Sequence, residues 1–388
     1  MLDVVSETAS STSAPIPQHR QRPAVRSANP RRGPLTHVPL SRASLPAYDP
    51  MLPPWEGSWE PVGTGGDRGH STGDHAPDGP APDGPAPGGR GVDGHNAGAD
   101  VGGMRLHVRR TPGLRERTTV YVHGLGGSST NWTDLAAQLA PHAEGIALDL
   151  PGFGFSEPPR GFAYSLGAHA DVVARYLESL GRPVDLVGNS MGGAVSLLLA
   201  ARRPELVRTL TLVSPAMPDR RPDPRRLSDP RMALAMLPVV GTPVRRQLAR
   251  LTPEERALQT IRLVYADADR FPRHRLTEQA EEFAARSAQQ WAAAALARST
   301  LEIFRSWFTP GPGSLWSAAP RVRVPTLVVW GTQDRVISVR RARRTAGAIP
   351  SARLLVLPRT GHVAQMERPV TVARAVLGMW EHVADGRW

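Results

Sequence analysis

The 388-residue chain contains no cysteine. That excludes disulfides, thiolate metal sites and a cysteine nucleophile, so any covalent chemistry must run through another side chain. Lysine is absent too, and all 47 basic residues are arginine. No run approaches the roughly 18 apolar residues of a membrane span. The N-terminus lacks the apolar core of a secretory signal, with Asp3 and Glu7 near its start, and no apolar run follows Arg31-Arg32. These absences leave a soluble cytoplasmic protein, without stable membrane insertion, as the expectation.

What is present is unevenly spread. Residues 1–100 carry eight arginines against eleven acids, and residues 101–388 carry 39 against 24. A basic surface favours nucleic acid, anionic lipid or acidic substrates. Here the arginines are scattered among acids and no nucleic-acid-binding motif accompanies them. A solvated arginine-rich surface is expected, with no nucleic-acid partner. Residues 1–100 are crowded with Pro, Gly, Ser and Ala, including the near-repeat PDGPA-PDGPA-PGG at 77–89. Such a composition buries too little apolar surface to offset chain entropy, so a disordered tail, dispensable for catalysis, is expected. Tyr48 to Trp59 and Val62 are its candidate docking patches.

From about Val101 the chain alternates strand and helix patterns. Strands are expected at Met104–Arg109, Thr118–Val122, Gly145–Leu150, from Val184, and at Thr209–Val213. Helices fall between them at Thr133–Leu139, Leu166–Leu180 and from Ala194. That rhythm means an α/β domain over 101–388, a mostly parallel sheet with helices on both faces. After Ser214-Pro215 it breaks until about residue 320. Thr252-Pro253-Glu254-Glu255 is a helix start, with a cap, a proline at the first position and acids in the first turn. Helical stretches follow near Ala257–Tyr265, Thr277–Arg286 and Gln289–Phe308. The rhythm then resumes with a strand at Val324–Trp330, a helix near Val339–Ala348, a strand at Arg353–Leu357 and a helix at Pro369–Val383.

Gly188-Asn189-Ser190-Met191-Gly192 lies between the Val184 strand and the Ala194 helix. A serine on such a turn points its hydroxyl off the end of the sheet, and Gly188 and Gly192 let strand and helix approach. A serine hydroxyl is a weak nucleophile. It needs a base, a group orienting that base, and donors for the oxyanion that forms. Asp334 and His362 each follow a later strand, at the sheet edge where open α/β folds build their sites. The order Ser, Asp, His is that of one family of hydrolases.

With HGLGG at 123–127, DLPGFGFS at 149–156, GNSMGG at 188–193, WGTQD at 330–334 and TGHVAQMERP at 360–369, the chain resembles the α/β-hydrolase fold superfamily, in its serine-esterase and meta-cleavage C–C hydrolase-like branch. The resemblance covers about 104–385 apart from the inserted block. It implies Ser190 as nucleophile, His362 as general base and then acid, and Asp334 as the carboxylate holding His362. The oxyanion hole would be the backbone N–H groups of Leu125 and Met191, with His123 and Gly124 shaping its loop. No metal or cofactor is implied. Asp149 is expected to bond turn amides. The block at about 215–320 reads as a helical lid, whose aromatics, Tyr265 and Phe271 among them, are candidates to line a pocket over Ser190. Hydrolysis of carboxylic esters with a mid-sized apolar group is the first expectation, and C–C hydrolysis of a vinylogous diketone the second. Val363 after His362, Met366 where a second Trp is common, and the short glycine loop weigh against the second. A catalytically silent binding module is the alternative from another class.

Overall fold

The computed structural model describes residues 37–63, 103–219 and 251–388. Among them the apolar runs join in one eight-stranded sheet. In chain order its strands are β1 (Gly57–Pro61), β2 (Arg105–Thr111), β3 (Thr118–Val122), β4 (Glu144–Leu148), β5 (Val184–Asn189), β6 (Val207–Val213), β7 (Thr326–Gly331) and β8 (Ala352–Leu357). Their spatial order is β1-β2-β4-β3-β5-β6-β7-β8. The β1–β2 and β2–β4 pairings are antiparallel and the rest parallel. Every residue of β3, β5 and β7 is buried, as befits parallel strands covered on both faces.

The longer helices are α1 (Thr133–Leu139), α2 (Leu166–Ser179), α3 (Met191–Arg202), α4 (Pro253–Val264), α5 (Arg273–Ser287), α6 (Ala292–Phe308), α7 (Ala342–Ala348) and α8 (Pro369–Ala384). Val173, Leu197 and Ala346 carry α2, α3 and α7 onto one face of the sheet. Leu135 and Val376 carry α1 and α8 onto the other. Capping follows the sequence signals. The Ser165 side chain accepts from the Ala168 N–H at the start of α2, and the chain leaves that helix at Gly181 with φ +68°. Thr252 and Glu255 form a reciprocal capping box at α4, with Pro253 in its first turn. The strand order and the helices on both faces make the mostly parallel, doubly covered sheet that was expected.

The expectation of a tail over 1–100 is corrected for residues 37–63; the remainder of that stretch lies outside the described residues. β1 pairs with β2 over five residues, from Gly57 opposite Arg109 to Pro61 opposite Arg105. Val62 and Val38 are buried. The Ser41 N–H donates to the Arg374 carbonyl at 2.9 Å, and Arg374 returns a bond to the Ser41 carbonyl. Glu60 is gripped by Arg110 at 2.6 Å and by the Tyr176 hydroxyl at 2.7 Å. The physical reason is that β2 would otherwise present an open ladder edge, which a further strand satisfies. Full burial of each valine adds roughly 1.5–3 kcal/mol.

The inserted block is helical where it is described, in α4, α5 and α6; residues 220–250 of it lie outside the described set. Among the described residues no helix is long and apolar enough to cross a membrane.

Candidate active site

β5 ends at Asn189, α3 begins at Met191, and Ser190 between them has φ 54° and ψ −116°. A non-glycine residue there stores on the order of 1–3 kcal/mol of strain, which its surroundings must hold. They do so by burial and close backbone contact. Ten of the twelve residues of α3 are buried. A Cβ on Gly192 would stand 2.2 Å from the Val122 carbonyl oxygen, so only glycine lets α3 start this close to β3. The Ser190 N–H donates to the Val213 carbonyl at 3.0 Å, and the Ser190 carbonyl accepts from Ala194 and Ala216. The side chain is thereby lifted off the sheet edge at the positive end of a helix.

Asp334 lies three residues beyond β7. Its Oδ1 accepts the N–H groups of Val336 and Ile337, both at 2.8 Å, and its Oδ2 pairs with His362 Nδ1 at 2.9 Å. The carboxylate is wholly buried. Because the carboxylate accepts at Nδ1, the neutral imidazole carries its proton there and leaves Nε2 free to take one. His362 is further held by its backbone: its N–H donates to the Val264 carbonyl at 2.7 Å. Its carbonyl accepts from Asn189 Nδ2 at 3.1 Å, and the same amide reaches the Val213 carbonyl. Asn189 thus ties the histidine loop to the serine turn. Among the described residues no hydrogen bond joins Ser190 to His362, a bond that commonly tightens only when substrate is bound.

The loop after β3 is shaped by His123. Its Nδ1 pairs with the Gly124 carbonyl at 2.7 Å, and its Nε2 accepts the Leu150 N–H at 3.0 Å. The ring is therefore the Nδ1-protonated neutral tautomer, and burial pushes its pKa below the usual histidine range. The Gly124 carbonyl also accepts from the Gly127 N–H at 3.0 Å. In a trans peptide the N–H points opposite to the carbonyl, so the Leu125 N–H is turned away from these two donors. Neither the Leu125 nor the Met191 N–H is engaged by an acceptor among the described residues. For Met191 the reason is general, since the first N–H groups of a helix lack intrahelical partners. Asp149 bonds turn groups as expected: the Ser129 N–H at 2.6 Å, the Phe155 N–H at 3.0 Å and His107 Nδ1 at 2.7 Å. Burial by itself would raise its pKa; the His107 bond, the two imidazoles beside it and the Phe155 amide outweigh it and hold the carboxyl below its usual range.

One residue missed in the sequence is Glu367. Its two oxygens accept the Gly361 N–H at 2.6 Å and the Ala266 N–H at 3.1 Å, joining the histidine loop to the chain after α4. Burial raises its pKa despite those bonds. Arg335, next to Asp334, reaches the same segment through the Arg262 and Ala266 carbonyls, at 2.7 and 3.2 Å. Tyr265 and Phe271 pack edge to face at 5.0 Å and line a cavity of about 950 Å³ whose walls include Tyr48 and Met366 but neither Ser190 nor His362. Among the described residues no cluster of three or more metal-ligating side chains occurs.

The family model for the alpha/beta hydrolase fold matches residues 120–369. The chain is 32% identical over 271 residues to the dihydrolipoyllysine-residue acetyltransferase component of the acetoin cleaving system of Cupriavidus necator, covering 70% of this chain and 65% of that one. It therefore spans just under two thirds of that relative's length. It is 28% identical over 289 residues to 2-hydroxy-6-oxo-2,4-heptadienoate hydrolase of Pseudomonas putida, covering 70% of this chain and 94% of that one. Among solved structures, a bacterial membrane phospholipase A matches with a TM-score of 0.60 at 27% identity, over 75% of this chain and 86% of that one.

Proposed function

The chain belongs to the α/β-hydrolase fold family, and from that premise we propose that it is a serine hydrolase cleaving carboxylic esters with a mid-sized apolar group through an acyl-enzyme on Ser190. The observation that carries this reading is the 2.9 Å bond between His362 Nδ1 and Asp334, which leaves Nε2 as the proton acceptor on the loop that Asn189 ties to Ser190. In the first step Nε2 takes the Ser190 proton as Oγ attacks the ester carbonyl. The N–H groups of Leu125 and Met191 receive the oxyanion. Collapse expels the alcohol, to which His362 returns the proton. Water, deprotonated by the same Nε2, then releases the acid and regenerates Ser190. Asp334 holds His362 and stabilises the imidazolium that forms. The helices α4 to α6 serve as the lid over this site.

The test is a series of p-nitrophenyl esters of graded acyl length. Ser190→Ala and His362→Ala should each lose about 10⁴-fold or more in kcat, and the double variant little beyond either, since the two act as one unit. Asp334→Asn should be severe but milder. All three should stay folded. Near wild-type turnover in Asp334→Asn alongside a dead Ser190→Ala would mean that the acid is misassigned. The similarity to the Pseudomonas putida hydrolase favours C–C cleavage as a second reading. A 2-hydroxy-6-oxo-dienoate turned over faster than every ester would replace the first reading with it.

A further inference from the structure

Helix α5 has no buried residue, yet one of its side chains reaches the loop that carries an expected oxyanion donor. Arg286 donates from Nη2 to the Gly126 carbonyl at 2.9 Å and from Nη1 to the Gly127 carbonyl at 3.0 Å. One helical turn earlier, Glu282 accepts from the Thr130 hydroxyl at 2.8 Å and pairs with Arg286 at 3.3 Å. The helix therefore holds residues 126–130 at two points, and the ion pair fixes the guanidinium between them. Its side chain is only 13% exposed, so the bonds are shielded from water. Arg286 also stacks over the Phe283 ring at 5.0 Å, which restrains its swing.

The loop needs such a restraint. The Gly127 N–H to Gly124 carbonyl bond closes a turn whose third residue, Gly126, has φ +71°. Leu125, the second residue, has no positive φ, so the turn is type II. The Leu125 N–H belongs to the Gly124–Leu125 peptide, whose carbonyl is fixed by this bond, so its direction depends on where the Gly127 backbone is held. His123 and Gly127 grip one side of the turn through the Gly124 carbonyl. The opposite side is held by Arg286 alone among the side chains described. We propose that Arg286 is a positioning residue for the oxyanion hole: from the inserted helix it holds the Gly126 and Gly127 carbonyls, and through the Gly127–Gly124 bond it keeps the Leu125 N–H facing the oxyanion formed at Ser190.

This rests on the ester-hydrolase reading for its kinetic consequence, but not for its structural one. Two measurements keep them apart. In p-nitrophenyl ester hydrolysis, Arg286→Met should lower kcat by about 10- to 100-fold, short of the roughly 10²–10³ for outright loss of an oxyanion donor. KM should change little, because the ground-state carbonyl makes weaker use of the hole. Arg286→Lys, which can reach one carbonyl, should recover part of the rate. Separately, amide exchange in a peptide covering 123–131 should speed up in Arg286→Met while a peptide covering 184–195 stays as slow as in the unaltered protein. A kcat within twofold of wild type overturns the proposal. So does a loss that tracks melting temperature with no recovery in Arg286→Lys. If the unaltered protein hydrolyses no ester, the functional reading fails; the exchange experiment then decides, and unchanged exchange over 123–131 overturns Arg286 as the lock.

Discussion

Helices α3 and α5 both meet the chain that leaves β3, and they are held there by opposite means. Ten of twelve residues of α3 are buried, and it begins against the backbone of β3 with no room for a Cβ at Gly192. No residue of α5 is buried. It is tied down by guanidinium and carboxylate groups: Arg286 on the Gly126 and Gly127 carbonyls, Glu282 on Thr130, and Arg275 on Asp134 at 2.9 Å. Close packing resists displacement in every direction, because an atom that moves meets a neighbour on one side and opens a void on the other. A set of charge-assisted bonds instead fixes direction, because each holds only while its donor and acceptor stay aligned. The difference teaches that the serine turn is held by packing and the inserted helix by directed polar bonds.

That contrast is most sharply broken or kept by glycine substitutions. At Gly192 an added methyl meets the Val122 and His123 carbonyl oxygens at 2.2 and 2.4 Å, neither of which can yield without moving a strand. Gly192→Ala should cost at least the upper end of the roughly 1–3 kcal/mol typical of overpacking, read as a fall in melting temperature or as failure to fold. Gly313→Ala, in the insertion, meets only Thr309 Cγ2 at 3.4 Å and should stay within about 0.5 kcal/mol of the unaltered protein. Equal costs at the two sites would erase the distinction.

The next largest effect concerns the segment at 37–63, which belongs with α3 rather than α5. Its strand completes a ladder and its valines are buried. Removing residues 1–63 should lower the melting temperature by an amount matching roughly 3–6 kcal/mol from the two valines, with the uncovered edge adding to it. Removing residues 1–36 should leave it unchanged. Equal melting temperatures for the two truncations would restore the view of this whole stretch as a tail.

A smaller effect sharpens the picture of the packed region by pH. His169 is fully buried beside Phe162 and Phe153, neither ring nitrogen has a partner among the described residues, and burial pushes its pKa down to about 3. Its folded pKa lies below the unfolded value, so the stability it holds is intact above about pH 6.5 and is lost as pH falls from there towards 3. At pH 5.5 that loss is about 1.4 kcal/mol. His169→Leu should therefore narrow the difference in melting temperature between pH 7.5 and 5.5. It should not abolish it, because the pKa of His123 is also depressed by burial. An unchanged difference would mean that His169 is solvated.

Much of this was legible in the chain. The strand-turn-helix around Ser190 announces itself because close backbone approach demands glycine, and glycines at fixed spacing are visible in the sequence itself. Asp334 and His362 follow apolar runs, so their place at the strand ends followed from topology. The segment at 37–63 was hidden by composition. It is proline-rich and flanked by low-complexity sequence, and only Tyr48 to Trp59 and Val62 stood out, as docking patches; the five-residue strand Gly57–Pro61 was too short to register. Arg286, Arg335 and Glu367 were illegible for a different reason. Each acts on backbone carbonyls or N–H groups far along the chain, and an arginine bound to a carbonyl looks in sequence like one facing water.

The central claim is that Ser190 is the nucleophile, and its most direct test is the mass of the intact protein after exposure to a fluorophosphonate, followed by peptide mapping. The account predicts one adduct per chain, located on Ser190, with none on Ser190→Ala and slow formation on His362→Ala. An adduct mapped to another residue, or undiminished labelling of Ser190→Ala, would contradict it.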